Sequence, residues 1–187
     1  MDAIMICLLA SAIGAFGGRW WMLAHGMARR LPTMAIGSAL IISTLIAVAA
    51  SAVLGGQMAM QIRGPGMLLF LALAILSAGA GLCWPTKAAG DKVLAGAKGP
   101  VAATILLLAA LIGDSAPFII LATAARTGDA ALAAFGGAAG LGAAALAAMM
   151  LPADALSVAT IQRLRWAAGV LFLLIGLIVA LSALGRL

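Results

Sequence analysis

Long apolar runs, each closed by a short polar, Gly- or Pro-bearing turn, set the pattern of this chain. A helix needs about 20 apolar residues to cross a hydrocarbon core about 30 Å thick. Six stretches reach that length: roughly Ile4–Leu23, Thr33–Leu54, Met67–Trp84, Pro100–Ala125, Ala130–Leu151 and Leu164–Leu184. A polar linker, Pro85–Gly99, separates the third from the fourth and carries Lys87, Asp91, Lys92 and Lys98. The pattern predicts an all-α polytopic membrane protein, one membrane domain over residues 1–187 with the linker at 85–99. Glycines four apart, Gly14 with Gly18 and Gly136 with Gly140, are of the kind that lets membrane helices approach closely.

Composition supports the same reading. Of the 187 residues 66% are hydrophobic and 9% charged, with a mean hydropathy of +1.25, where soluble domains carry about 25% charged residues. The formal charge of +6 therefore speaks of topology, with no nucleic acid as partner. The turns after the first, third and fifth spans hold Arg29, Arg30, Lys87, Lys92, Lys98, Arg163 and Arg165, against Arg63, Arg126 and Arg186 on the other side. The positive-inside rule then puts the linker in the cytoplasm and both termini outside, as expected for a bacterial inner-membrane protein. Trp84 and Trp166 are expected at the cytoplasmic interface. Cys7 and Cys83 sit in or beside apolar runs and are expected as small core residues. Asp2, with no basic residue before the first apolar run, argues against a cleaved signal, so that run is expected to stay as a span. The single His and the absence of a Ser-His-Asp set or phosphate-cradling loop predict neither an enzyme nor a cofactor.

One acid breaks the apolar pattern. Asp114 lies deep in the fourth span, between Gly113 and Ser115, with Pro117 three residues on. An ionisable residue inside a membrane span is a functional candidate by default. A proline inside a helix kinks it and frees the carbonyl four residues back, here that of Gly113. Carboxylate, hydroxyl and freed carbonyl together form an oxygen set able to hold a cation or a proton. Depth places Arg19 on the order of 10 Å from Asp114 along the membrane normal. Arg19 is therefore expected to snorkel to the interface beside Trp20 and Trp21 rather than pair with Asp114. His25 and Arg29, one turn apart, are expected as an ordinary interfacial pair.

The halves of the chain echo each other. Gly14 and Gly113, each preceded by Ile, lie 99 residues apart, as do Gly37 and Gly136, while Gly79 and Gly176 lie 97 apart. Residues 1–84 and 100–187 thus read as two three-helix repeats. Three is odd, so the copies would insert with opposite orientation, a transporter architecture.

Ile112-Gly113-Asp114-Ser115 is followed by Ala122-Thr123-Ala124-Ala125-Arg126. Trp84-Pro85-Thr86-Lys87 closes the third span, and Arg165-Trp166 precedes Leu171-Phe172-Leu173-Leu174-Ile175-Gly176-Leu177 in the last. With the two-repeat layout, these stretches resemble the GDT-type family, the Golgi and bacterial transmembrane manganese/calcium:proton antiporters of the lysine-exporter superfamily. The family motif, one per repeat, reads Glu-x-Gly-Asp-Lys-Ser/Thr. In the second repeat Leu111, Ser115 and Ala116 replace its Glu, Lys and Ser/Thr, leaving Gly113 and Asp114. In the first, Ala12, Ala15, Phe16 and Gly17 replace all but Gly14. The resemblance implies six spans in two inverted repeats. It also implies exchange of manganese or calcium for protons, with Asp114, Gly113 and Ser115 at the cation site and Asp114 as metal ligand. The loss of the other motif acids leaves two alternatives open. One is a non-transporting member, a structural or regulatory partner of a second copy or of a motif-complete paralogue. The other is an exporter of a small organic cation.

Overall fold

The computed structural model describes residues 2–61, 65–85, 91–152 and 157–185. Arg63, Lys87 and Arg186 of the topology argument lie outside the described residues. All regular elements among them are helices: α1 (Asp2–Ala15), α2 (Arg19–Ala28), α3 (Thr33–Gln61), α4 (Pro65–Cys83), α5 (Asp91–Gly96), α6 (Pro100–Ile112), α7 (Ser115–Thr127), α8 (Ala130–Met150) and α9 (Val158–Ala183). Four of them, α3, α4, α8 and α9, are long and apolar enough to cross a membrane alone. The pairs α1/α2 and α6/α7 qualify as bent units, turning by 68° and 61° at their breaks, so the described residues hold four helices of membrane-crossing length and apolarity, or six such units if each pair is one.

The breaks follow from local sequence. At the first, Phe16-Gly17-Gly18 ends α1: Gly17 takes a left-handed φ of 65°, a conformation that costs glycine little. Gly18 is then extended, with φ −70° and ψ 175°. At the second, Asp114 is extended and caps α7, its Oδ1 accepting from the Ser115 amide at 2.7 Å. The expected kink inside a continuous fourth span is thus a full break at Gly113-Asp114. Pro117 is the third residue of α7, where a missing N–H leaves nothing unsatisfied. The first span likewise runs past Leu23 to Ala28, and the linker holds the short α5.

Small residues decide which helices touch. A Cβ on Gly136 would run into the backbone of Ile4, and one on Gly140 into that of Leu8, so α1 lies parallel to α8 at close quarters. Farther along α8, His25 Nδ1 donates to the Ala148 carbonyl at 2.8 Å and its ring stacks on Trp21. Because α1 meets the start of α8 and α2 its end, the bent pair advances along α8 instead of turning back. His25 is therefore anchored to α8, where a pair with Arg29 was expected. Gly79 and Gly169 pack face to face, a Cβ on either meeting the other's carbonyl at 2.9 Å, and Gly176 meets Leu76, so α4 and α9 run antiparallel. In lipid, where apolar surfaces gain little from leaving solvent, such contact supplies much of the helix association. Trp20 and Trp21 are buried in the core rather than at an interface, whereas Trp84 and Trp166 are exposed. Exposed Ile41, Leu45, Ile46, Leu174, Leu177 and Ile178 give α3 and α9 the apolar outer faces that lipid covers.

Candidate functional site

The two breaks meet. A Cβ on Gly14 would lie 3.2 Å from Ser115 Oγ, and one on Gly18 would lie 3.0 Å from Asp114 Oδ2. Asp114, the residue expected to carry the chemistry, thus faces Gly18 at the first break, and its neighbour Ser115 faces Gly14. Asp114 Oδ1 serves the α7 cap and also sits 3.4 Å from Ser115 Oγ. Oδ2 is buried and has no hydrogen-bond partner. Leaving a buried carboxylate oxygen unpartnered costs free energy, so its persistence at a break points to a task. Of the first-motif positions, Gly14 and Ala15 are buried at this junction and Ala12 abuts Gly140 of α8.

Asp114, Gly113 and Ser115 border an open cavity of about 940 Å³ between the breaks, α4 and α9. Its wall is mainly apolar, with Leu73, Ile112 and Phe118 among the lining residues. Two arginines line it as well. Arg19, the first residue of α2, is exposed to the cavity and makes no hydrogen bond to Asp114.

The residue that sequence reasoning missed is Arg165. It was expected among topology-setting turn residues, yet it lies in α9 and is only 6% exposed. Its Nη1 donates to the Phe16 carbonyl at 3.4 Å and its Nη2 to that of Gly81 at 3.3 Å. These carbonyls stand at the C-terminal ends of α1 and α4, where helix dipoles favour a cation. Nε is buried and unpartnered. The Gly18 Cβ position that lies 3.0 Å from Asp114 Oδ2 lies 3.4 Å from Arg165 Nη1. Acid and guanidinium therefore face each other across Gly18 without a hydrogen bond. One signal in the sequence pointed here: an arginine one residue inside an apolar run.

As a metal site the arrangement is thin. Among the described residues no three His, Cys, Asp or Glu side chains gather where an ion could sit. Both cysteines are free and lie on different helix contacts, Cys7 beside Thr123 and Cys83 against Gly169. No family model matches the chain, and neither curated proteins nor solved structures provide a match.

Proposed function

We propose that this chain is a secondary transporter whose substrate site is the cavity at the two breaks, with Asp114 as the carboxylate that loads and releases a proton or the transported ion. The observation that carries this is the unpartnered, buried Oδ2 of Asp114 at a helix break bordering a large cavity. Broken helices that meet near the middle of a bundle are a recurrent way to build transport sites, because the break exposes backbone and side-chain polar groups to a ligand. The order bent pair, span, span occurs twice along the chain. Parallel α1/α8 and antiparallel α4/α9 are the directions two oppositely inserted three-span units would take. In the orientation given by the basic residues, termini lie outside a bacterial inner membrane and the linker lies in the cytoplasm.

In the form implied by the family resemblance, manganese or calcium exchanges for protons at Asp114, Ser115 and Gly113. Arg165 weighs against that form. A divalent ion wants six or more oxygens, and here it would meet one carboxylate and a buried guanidinium. A proton on Asp114 meets no such obstacle.

The test is proton flux in proteoliposomes. Wild type should couple a pH gradient to solute movement, and Asp114→Asn should abolish the coupling while remaining folded, since the amide keeps the shape and loses the titration. Equal flux from both proteins removes Asp114 from the mechanism. No flux from a well-folded wild type favours the non-transporting partner.

A further inference from the structure

We propose that the cavity takes a zwitterionic solute of the α-amino acid type, its ammonium group on Asp114 and its carboxylate on Arg165, with an apolar side chain on the cavity wall. This rests on the transporter reading and names its substrate class.

Charge decides between ligand classes. Among the described residues, the charged side chains lining the cavity are Asp114, Arg165 and Arg19. With Asp114 ionised they sum to +1. A divalent cation would raise that to +3 and an amine to +2, and uncompensated charge in a desolvated site is expensive. A zwitterion adds no net charge, and each of its ends finds its opposite.

Geometry agrees. Arg165 is fastened by two long bonds to helix-end carbonyls, which leaves the rest of its five-donor fork without a carboxylate, the partner its planar shape suits best. Asp114 Oδ2 has no partner either. Both groups adjoin one point, the absent Cβ of Gly18, so a molecule with ammonium and carboxylate on one carbon can address both. Their orphaned atoms are buried in this structure while each residue also lines the cavity. Binding a solute in this way requires these edges to turn toward it. Leu73, Ile112 and Phe118 supply the apolar surface, and the cavity volume is in the range of small-molecule sites.

The experiment is binding to purified full-length protein, read by radioligand binding and melting temperature. The probes are L-leucine, 4-methylpentanoate, 3-methylbutylamine and Mn²⁺. Leucine should bind and raise the melting temperature. The acid and the amine, each lacking one end, should bind at least about tenfold more weakly, because each leaves a buried polar group unpaired. Arg165→Gln and Asp114→Asn should each weaken leucine binding by a similar factor, with Arg165→Lys retaining part of it. Should Arg165→Gln fail to fold, the ranking of the four probes on wild type decides alone. Amine or Mn²⁺ binding as tightly as leucine, or no leucine binding, overturns the proposal. Nanodiscs with and without phosphatidylethanolamine separate the two sources of this chemistry: leucine binding in both supports a free solute, and its loss with that lipid overturns the free-solute assignment in favour of the lipid headgroup. Asp114-dependent proton flux without leucine binding would leave the transporter standing and remove this substrate. Leucine binding without any flux would do the reverse.

Discussion

Gly18 holds the acid and the guanidinium apart and yet leaves them facing each other. A methyl group added at Gly18 would press on Asp114 Oδ2 at 3.0 Å and Arg165 Nη1 at 3.4 Å. The backbone there, at φ −70°, accepts alanine without strain. Gly18→Ala should therefore melt within about 1 kcal/mol of wild type but lose most Asp114-dependent proton flux. Normal flux with a normal melting temperature would show that the contact across Gly18 is dispensable. Asp114 was legible in the sequence because a carboxylate in an apolar run stands out by cost alone. Arg165 was not. At the edge of an apolar run it reads as an interfacial cation, and only the fold brings the ends of α1 and α4 around it. A glycine pair such as Gly17-Gly18 shows that a turn is available, but not what faces it.

Breaks and close crossings belong to whole helices, and the sequence told them unevenly. Asp114 with Pro117 three residues later is a helix-start pattern. The length of the surrounding apolar run favoured reading it as a kink, since a continuous span also satisfies every backbone group in lipid. The packing of α4 on α9 was less legible, because in a chain this rich in Ala and Gly many small-residue pairs arise and few are contacts. The structure picks out Gly79 and Gly169, whose added Cβ atoms would each sit 2.9 Å from the partner's carbonyl oxygen. Neither obstacle is a flexible side-chain end, so the helices must part. Gly169→Ala should cost about 1–3 kcal/mol. Gly142→Ala in α8, where a Cβ meets nothing within 4 Å, should be neutral. Thermal melts of the two variants in one detergent check this, and equal melting temperatures would mean that the α4/α9 crossing is looser than described.

Membrane class and span order were set by apolar length, which is why the four unbroken apolar helices came within a few residues of their predicted ends, apart from the start of α9 and the far end of α3. Orientation rests on different physics: where positive charge is retained during insertion. The structure changes that count in one place. Arg165 is buried beside the cavity, and as a buried cation it no longer argues for topology. Arg29, Arg30, Lys87, Lys92, Lys98 and Arg163 still outnumber Arg63, Arg126 and Arg186, so the basic count without Arg165 still favours the proposed cytoplasmic linker. Lys98, exposed just before α6, is a suitable reporter. Cys7 is fully buried and Cys83 partly so, and Cys7→Ala with Cys83→Ala gives a clean background. In it, Lys98→Cys should react with a membrane-impermeant maleimide only after permeabilisation of the inner membrane. A cysteine at Gly128, which ends α7 with a left-handed φ of 70° and nothing within 4 Å of its Cβ position, should react in intact spheroplasts. The strain of a non-glycine residue there is of the order of 1 kcal/mol, small enough to leave the turn in place. Labelling of position 98 in intact spheroplasts would invert the molecule and place the cavity's Asp114 and Arg165 on the opposite access path, so this measurement also fixes from which side a solute first meets the site.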